Sequence, residues 1–242
     1  MSSAISLPTT AHNLVQRRTA TPLSGKSHTN NSVTQLSRPQ KTSRPDQWWL
    51  LSVPAFLIAA YAANFLIDVY RVGDSAIIDR IRSSLFGISH IVGGLTAMLL
   101  GPFQFLASIR RKYPKVHRWI GRLYALGILM GGINAFYVSF TSLCRPLGQY
   151  AFAFLGLIWL ATAAMGMSTI WSGQVAQHRN WMARNFSLTY AAVMLRWQLP
   201  LFISLGMETE PALTLTGFTS WIPNLIFAEW WIIRQTPKRA SD

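Results

Sequence analysis

From Trp48 onward one apolar run follows another, each close to the length an α-helix needs to cross a bilayer. The runs fall at about 48–70, 85–109, 119–140, 149–171, 185–206 and 217–233. Lipid offers no partner to a bare peptide group, and a helix satisfies its own, so these runs are expected to be helical despite Pro54, Pro102, Pro200 and Pro223. The fold class that follows is all-α: a polytopic transmembrane helical bundle of about six spans. Half of the residues are hydrophobic and only 12% are charged, well below the share in a soluble domain.

Residues 1–46 differ in kind. They are rich in Ser, Thr, Asn, Gln and Pro and carry no acid before Asp46, so they lack the apolar surface needed to offset ordering. We expect a disordered basic cytosolic tail over 1–46, a transmembrane helical domain over 47–234 and a short cytosolic tail over 235–242. No apolar core follows Met1, so a cleaved secretory signal is not expected. Mitochondrial presequences share the acid-free, Arg- and Ser-containing composition, but a plain basic tail accounts for it as well. The single cysteine, Cys144, excludes an internal disulfide and any cysteine metal cluster.

The net charge of +14 would point to nucleic acid in a soluble protein. Here the basic residues cluster between apolar runs, where topology and anionic headgroups explain them, and no nucleic-acid partner is expected. With the N-terminus inside, seventeen Lys and Arg fall on the cytosolic side and four (Arg71, Arg80, Arg82, Arg145) on the other. The positive-inside rule then puts both termini in the cytosol. The expected location is the endoplasmic reticulum or another internal membrane.

On this topology two related clusters share the cytosolic face. The first is His117-Arg118-Trp119-Ile120-Gly121-Arg122-Leu123-Tyr124; the second is His178-Arg179-Asn180-Trp181-Met182-Ala183-Arg184. Each marks the bend of a helical hairpin, which gives a two-hairpin core flanked by helices one and six and a weak parallel repeat. Gly127 and Gly131, spaced GxxxG, together with Gly93, Gly94, Gly156 and Gly166, permit close helix packing.

Several side chains carry possible chemistry. Arg196 falls mid-membrane, where a charge is costly unless it is paired or faces a cavity. Asp68 and Glu229 are the acids within expected spans, where desolvation suits a carboxyl to proton donation; both also lie close to helix ends, where a plain interfacial role suffices. His90 lies inside the second run, as a packing residue or a cavity residue. His117 and His178 sit at comparable depth on different hairpins, one requirement for the axial pair of a b-type haem. Their neighbouring arginines suit anions such as propionates, headgroups or phosphates, and both histidines also read as interfacial anchors. Three histidines at different depths do not converge on zinc, so no metal site is expected. Most aromatics in the spans, Phe56, Tyr61, Phe103, Tyr124 and Trp159 among them, read as packing or lipid-facing surface; the sharper reading is a pocket that stabilises a cation.

Taken in order, His90, Gly101-Pro102-Phe103-Gln104-Phe105, His117-Arg118-x-x-Gly121-Arg122-x-Tyr124, His178-Arg179-x-Trp181-Met182-x-Arg184 and Arg196 resemble a broad family of small polytopic membrane proteins without assigned function. The resemblance covers roughly residues 85–200. Some fungal proteins that look like this family are membrane-bound terpene cyclases of meroterpenoid pathways. What the resemblance implies is a cyclase that takes a prenylated, lipophilic substrate from the bilayer, protonates an olefin or epoxide and shields the cation in an aromatic-lined cavity. No cofactor is then needed, and the absence of a paired-aspartate diphosphate motif fits initiation by protonation. Asp68 and Glu229 become the candidate proton donor and acceptor, with Arg196 and His90 as cavity residues. The alternative from another class is a b-haem electron carrier ligated by His117 and His178.

Overall fold

The computed structural model of the chain describes residues 46–69 and 84–235. Residues 1–45 and 236–242, all but one residue of each tail expected over 1–46 and 235–242, lie outside them, and so do the side chain of Asp68 and residues Arg71, Arg80 and Arg82. All the described residues are helical or form short turns. The helices are α1 (Asp46–Val69), α2 (Leu85–Gln104), α3 (Ala107–Lys112), α4 (Pro114–Phe140), α5 (Pro146–Trp171), α6 (Val175–Thr189), α7 (Ala191–Ser204), α8 (Thr209–Thr219) and α9 (Ile222–Gln235).

Five stretches are long and apolar enough to cross a membrane: Trp48–Ile67, α2, α4, α5, and α6 with α7 taken together. Their outer faces carry exposed large hydrophobics, for example Leu57 (65%), Leu126 (59%) and Ile133 (57%). In water such a surface would aggregate; in a bilayer it is the solvent-matched face.

The sixth expected span differs. No single helix covers 217–233; α8 and α9 run in tandem, broken at Ser220–Trp221. Pro223 explains the break. It has no N–H for an upstream carbonyl, and inside a continuous helix its ring would press on the preceding turn. Placed at the start of α9, it is harmless. The tandem still returns along the bundle: α8 packs on α5 and α7, and α9 packs on α6. The second expected run, 85–109, is likewise split, at Phe105–Leu106 just after Pro102.

Turn chemistry sets the hairpins. Ser84 caps α2 by accepting from Gly87 N at 3.2 Å. Pro114 and Pro146 open α4 and α5. Helix α5 ends in Gly173 at φ 73°, with Gly173 N donating to Ile170 O and Gln174 N to Thr169 O. Gly206, at φ 91°, closes α7 with the same pair of reversed bonds. Both are Schellman ends, which need the left-handed conformation that glycine adopts without strain.

Packing follows the small residues. Helix α2 lies along α4 and α1, and α4 lies along α5. A Cβ on Gly93 would stand 2.4 Å from Gly131 N and 2.5 Å from Gly127 O, so α2 and α4 meet backbone to backbone. Gly156 meets the side chain of Ala135, and Gly166 that of Met182. Gly94 is the exception: nothing lies within 4 Å of where its Cβ would be.

The α6–α7 rod is central. It touches α5, α9 and α2 through α6, and α8 and α1 through α7. At 30 residues it is about 45 Å long, more than the roughly 30 Å of hydrocarbon, so its polar first turns reach the headgroup zone. His178 therefore lies in the first turn of α6. The sequence alone reads it as following the fourth helix, because the polar stretch 174–184 hides a helix stabilised by packing.

Candidate functional site

A partly open cavity of about 80 Å³ lies among α1, α2 and α7. Ile58, Ala59 and Ala62 come from α1, His90, Ile91, Gly94, Leu95 and Met98 from α2, and Ala192 and Arg196 from α7. The missing side chain of Gly94 supplies part of the space. Two of the residues that the sequence singles out, His90 and Arg196, are thus brought to one place although they are more than a hundred positions apart.

The Arg196 side chain is held at two points. Its Nη1 donates to Ala192 O at 3.0 Å, one turn back on α7. The guanidinium carbon stands 5.5 Å from the centre of the Tyr61 ring, a cation–π contact with α1. Its Nε is buried and has no hydrogen-bond partner. Among the described residues no carboxylate pairs with it. A buried donor without an acceptor costs on the order of 1–3 kcal/mol, more when the group is charged. The cation of Arg196 thus faces an apolar cavity with donor capacity unused.

His90 is oriented by α4. Its Nδ1 lies 2.8 Å from Gly131 O, and a carbonyl only accepts, so Nδ1 carries the proton. The other ring nitrogen, Nε2, then holds the lone pair in the neutral ring. The bond uses the close α2–α4 contact made by Gly93 and Gly131, so the helix packing fixes the histidine.

Of the two acids, Glu229 has its side chain among the described residues. Glu229 on α9 is engaged by Arg184 on α6: Arg184 Nε bonds one carboxylate oxygen and Nη2 the other, the latter at 2.8 Å. This two-pronged pair ties α9 to α6 and stands apart from the cavity lining. Asp68 is in the last turn of α1, the helix that supplies the Ile58 wall, and its side chain lies outside the described residues.

His117 and His178 also converge, at the end of the bundle where the two bends meet. His117 is in the first turn of α4 and His178 in the first turn of α6, within electrostatic reach of each other and of Arg110. The two clusters share a further detail: Arg122 sits over Trp119 and Arg184 over Trp181, at 5.1 and 4.7 Å.

One constellation is not apparent from sequence patterns. Tyr124 on α4 donates to Asn185 Oδ1 at 2.8 Å; Asn185 Nδ2 donates to Trp159 O and Thr162 Oγ1, both at 2.8 Å. Trp159 Nε1 donates to Thr189 Oγ1 at 2.8 Å. All five side chains are buried, so this polar network staples α4, α5 and α6 inside the apolar core. Both N–H donors of Asn185 and its carbonyl oxygen are engaged, which marks a structural lock between helices.

The bundle, its lipid-matched surface and its stacked hairpins define a multi-pass α-helical membrane protein. A model of the family described as predicted membrane protein (DUF2306) matches residues 87–232, more than half of the chain. The chain belongs to this family, whose function is unknown. It matches no curated protein and no solved structure.

Proposed function

We propose that the chain binds a lipophilic molecule through an oxygen acceptor, a carboxylate or a carbonyl, seated on Arg196 beside His90. The observation that carries this is that Arg196, whose buried Nε has no partner, lines an apolar cavity. A cavity of about 80 Å³ has room for a small polar group. The apolar body of the ligand then lies outside, along the lipid-facing side of α1.

The test is binding of oleate and of a short-chain quinone to the full chain in detergent, read as a shift in melting temperature and by titration. The expected result is saturable binding by at least one of them, weakened about tenfold or more in Arg196→Gln, as for the loss of one charged hydrogen bond. Equal binding by wild type and variant overturns the reading.

Cyclisation of a prenylated substrate is the narrower form of this proposal. Glu229 is committed to Arg184, and the cavity is lined by aliphatic residues with His90 and Arg196 in place of a wall of aromatic rings. Proton delivery there falls to Asp68 or to a protonated His90. Microsomes carrying the chain are then expected to convert a farnesylated phenol or its epoxide to a cyclised isomer of unchanged mass, and Asp68→Asn with His90→Gln to abolish it. An unaltered yield in the double variant removes the cyclase form.

One observation favours a second reading. His178 Nδ1 lies 2.7 Å from Gly166 O, the arrangement that orients a ligating imidazole through its other nitrogen, and His117 is close by. Haem bound between them predicts a Soret band that is lost in His117→Ala; a colourless protein removes it.

Both termini in the cytosol of an internal membrane is the orientation that the charge count supports. A thiol introduced as Lys112→Cys is then expected to react with a membrane-impermeant maleimide added to sealed microsomes, and one at Glu208 only after permeabilisation. The reverse pattern inverts the orientation.

A further inference from the structure

A second feature has no part in the cavity. Helices α2, α3, α4 and α6 bring five polar side chains together where the two bends meet: Gln104, Arg110, His117, His178 and Arg179. Gln104 ends α2. Its Oε1 lies 3.3 Å from where a Cβ on Gly121 would stand, so its amide is wedged against α4. Gln104 Nε2 is buried and has no partner. His117 precedes Gly121 by one turn, so both lie on the same face of α4. His117 Nδ1 is buried and unpartnered as well. Two orphaned polar atoms, one from α2 and one from α4, mark a place where a partner belongs.

The surrounding charge is of one sign. Arg110 is fixed by Nη1, which donates to Gln104 O at 3.1 Å and to Phe105 O at 2.9 Å and so caps α2. Its Nε and Nη2 are left for other partners. Arg179 acts electrostatically on Arg110, and Arg110 and His178 on His117. Mutual repulsion of such groups is relieved by an anion. The described carboxylates do not supply one. Glu229 is taken by Arg184. Glu208 and Glu210 lie at the opposite end of the bundle, where Glu210 pairs with Arg145.

We infer that this junction is a binding site for a phosphate group, held by Arg110 and Arg179, with Gln104 Nε2 and a ring nitrogen of His117 completing its hydrogen bonds. Donors that arrive from four helices suit a tetrahedral group with several oxygens better than a planar carboxylate with two. Arginine forks match phosphate geometry. The site lies at the ends of α2, α4 and α6, the depth at which headgroup phosphates sit. The group belongs to an anionic phospholipid or to a free phosphate compound. Either one would tie the two hairpins together at their bends. The inference is independent of the Arg196 cavity.

The test uses the purified full chain in nanodiscs of phosphatidylcholine alone, in discs with one fifth phosphatidic acid, and in detergent with inorganic phosphate. Melting temperature and retained lipid by native mass spectrometry are the readouts. Stabilisation by phosphatidic acid or by inorganic phosphate supports the site, and the arm that responds identifies the source. Arg179→Gln is expected to weaken the effect about tenfold, and Arg110→Gln likewise. Lys112→Gln, which removes one exposed charge from α3, is expected to leave it unchanged. Because Arg110 also caps α2, the Arg179 variant decides if the Arg110 variant does not fold. An effect lost equally in Lys112→Gln means general charge attraction and overturns the proposal. So does no response to either phosphate source, or a Soret band in the pure protein that is lost in His117→Ala.

Discussion

Asn185→Leu is expected to lower the stability of the bundle by about 3 kcal/mol or more. The leucine removes the acceptor of Tyr124 and the donors to Trp159 O and Thr162 Oγ1. Single interhelical hydrogen bonds in membranes average only about 0.6 kcal/mol, with a maximum near 1.7, because the separated helices find other partners. Three bonds lost from one residue reach the stated figure at about 1 kcal/mol each, within that range, although the Tyr124 hydroxyl keeps its longer contact to Thr189 Oγ1 at 3.2 Å. Tyr124→Phe removes one partner and keeps the ring, so about 1 kcal/mol is expected there. Thermal unfolding in detergent, followed by far-UV circular dichroism, ranks the two. A leucine variant that melts with the wild type would mean that the network does not hold α4, α5 and α6 together.

Gly93→Leu has the other large effect, through sterics. The first atom of any side chain there would meet the α4 backbone at 2.4 and 2.5 Å, and backbone cannot rotate aside as a flexible side chain does. Helix α2 has to move off α4 by an ångström or more. That motion stretches the His90 Nδ1 contact to Gly131 O and empties packing along the whole contact. Failure to fold, or a loss above about 3 kcal/mol, is expected. Gly94→Ala, one position on, meets open space and is expected to be near neutral. A protease-resistance assay on the pair separates close packing at one glycine from a general need for small residues. Equal tolerance at both positions would contradict it.

The contrast between these neighbours shows what a sequence holds and what it withholds. The apolar runs, the two bends and the glycines of close packing all follow from length, charge and residue size. The role of Gly94 does not, since a small residue reads the same whether it admits a helix or leaves a void. The broken sixth span could have been anticipated from Pro223, which a hydropathy window counts only as mildly polar. Asn185, Thr189 and Thr162 are invisible to the same window. Their function depends on facing one another across three helices, and nothing in the periodicity of one helix says what stands opposite. Arg196 announced itself by its cost. That His90 stands beside it follows only once α1, α2 and α7 are neighbours. Glu229 shows the reverse: read alone it is an intramembrane acid, and in the fold it is the partner of Arg184.

The cavity at Arg196 carries the proposed binding. Its most direct measurement is photocrosslinking of the purified wild-type chain with a diazirine-bearing fatty acid, followed by peptide mapping of the adducts. Labelling is expected to concentrate on the cavity walls of α1 and α2, around Ile58 and Leu95, and to be lost in both Arg196→Gln and Gly94→Leu, the second of which fills the space while leaving the charge in place. Adducts scattered along the lipid-facing surface and unchanged by either substitution would contradict it.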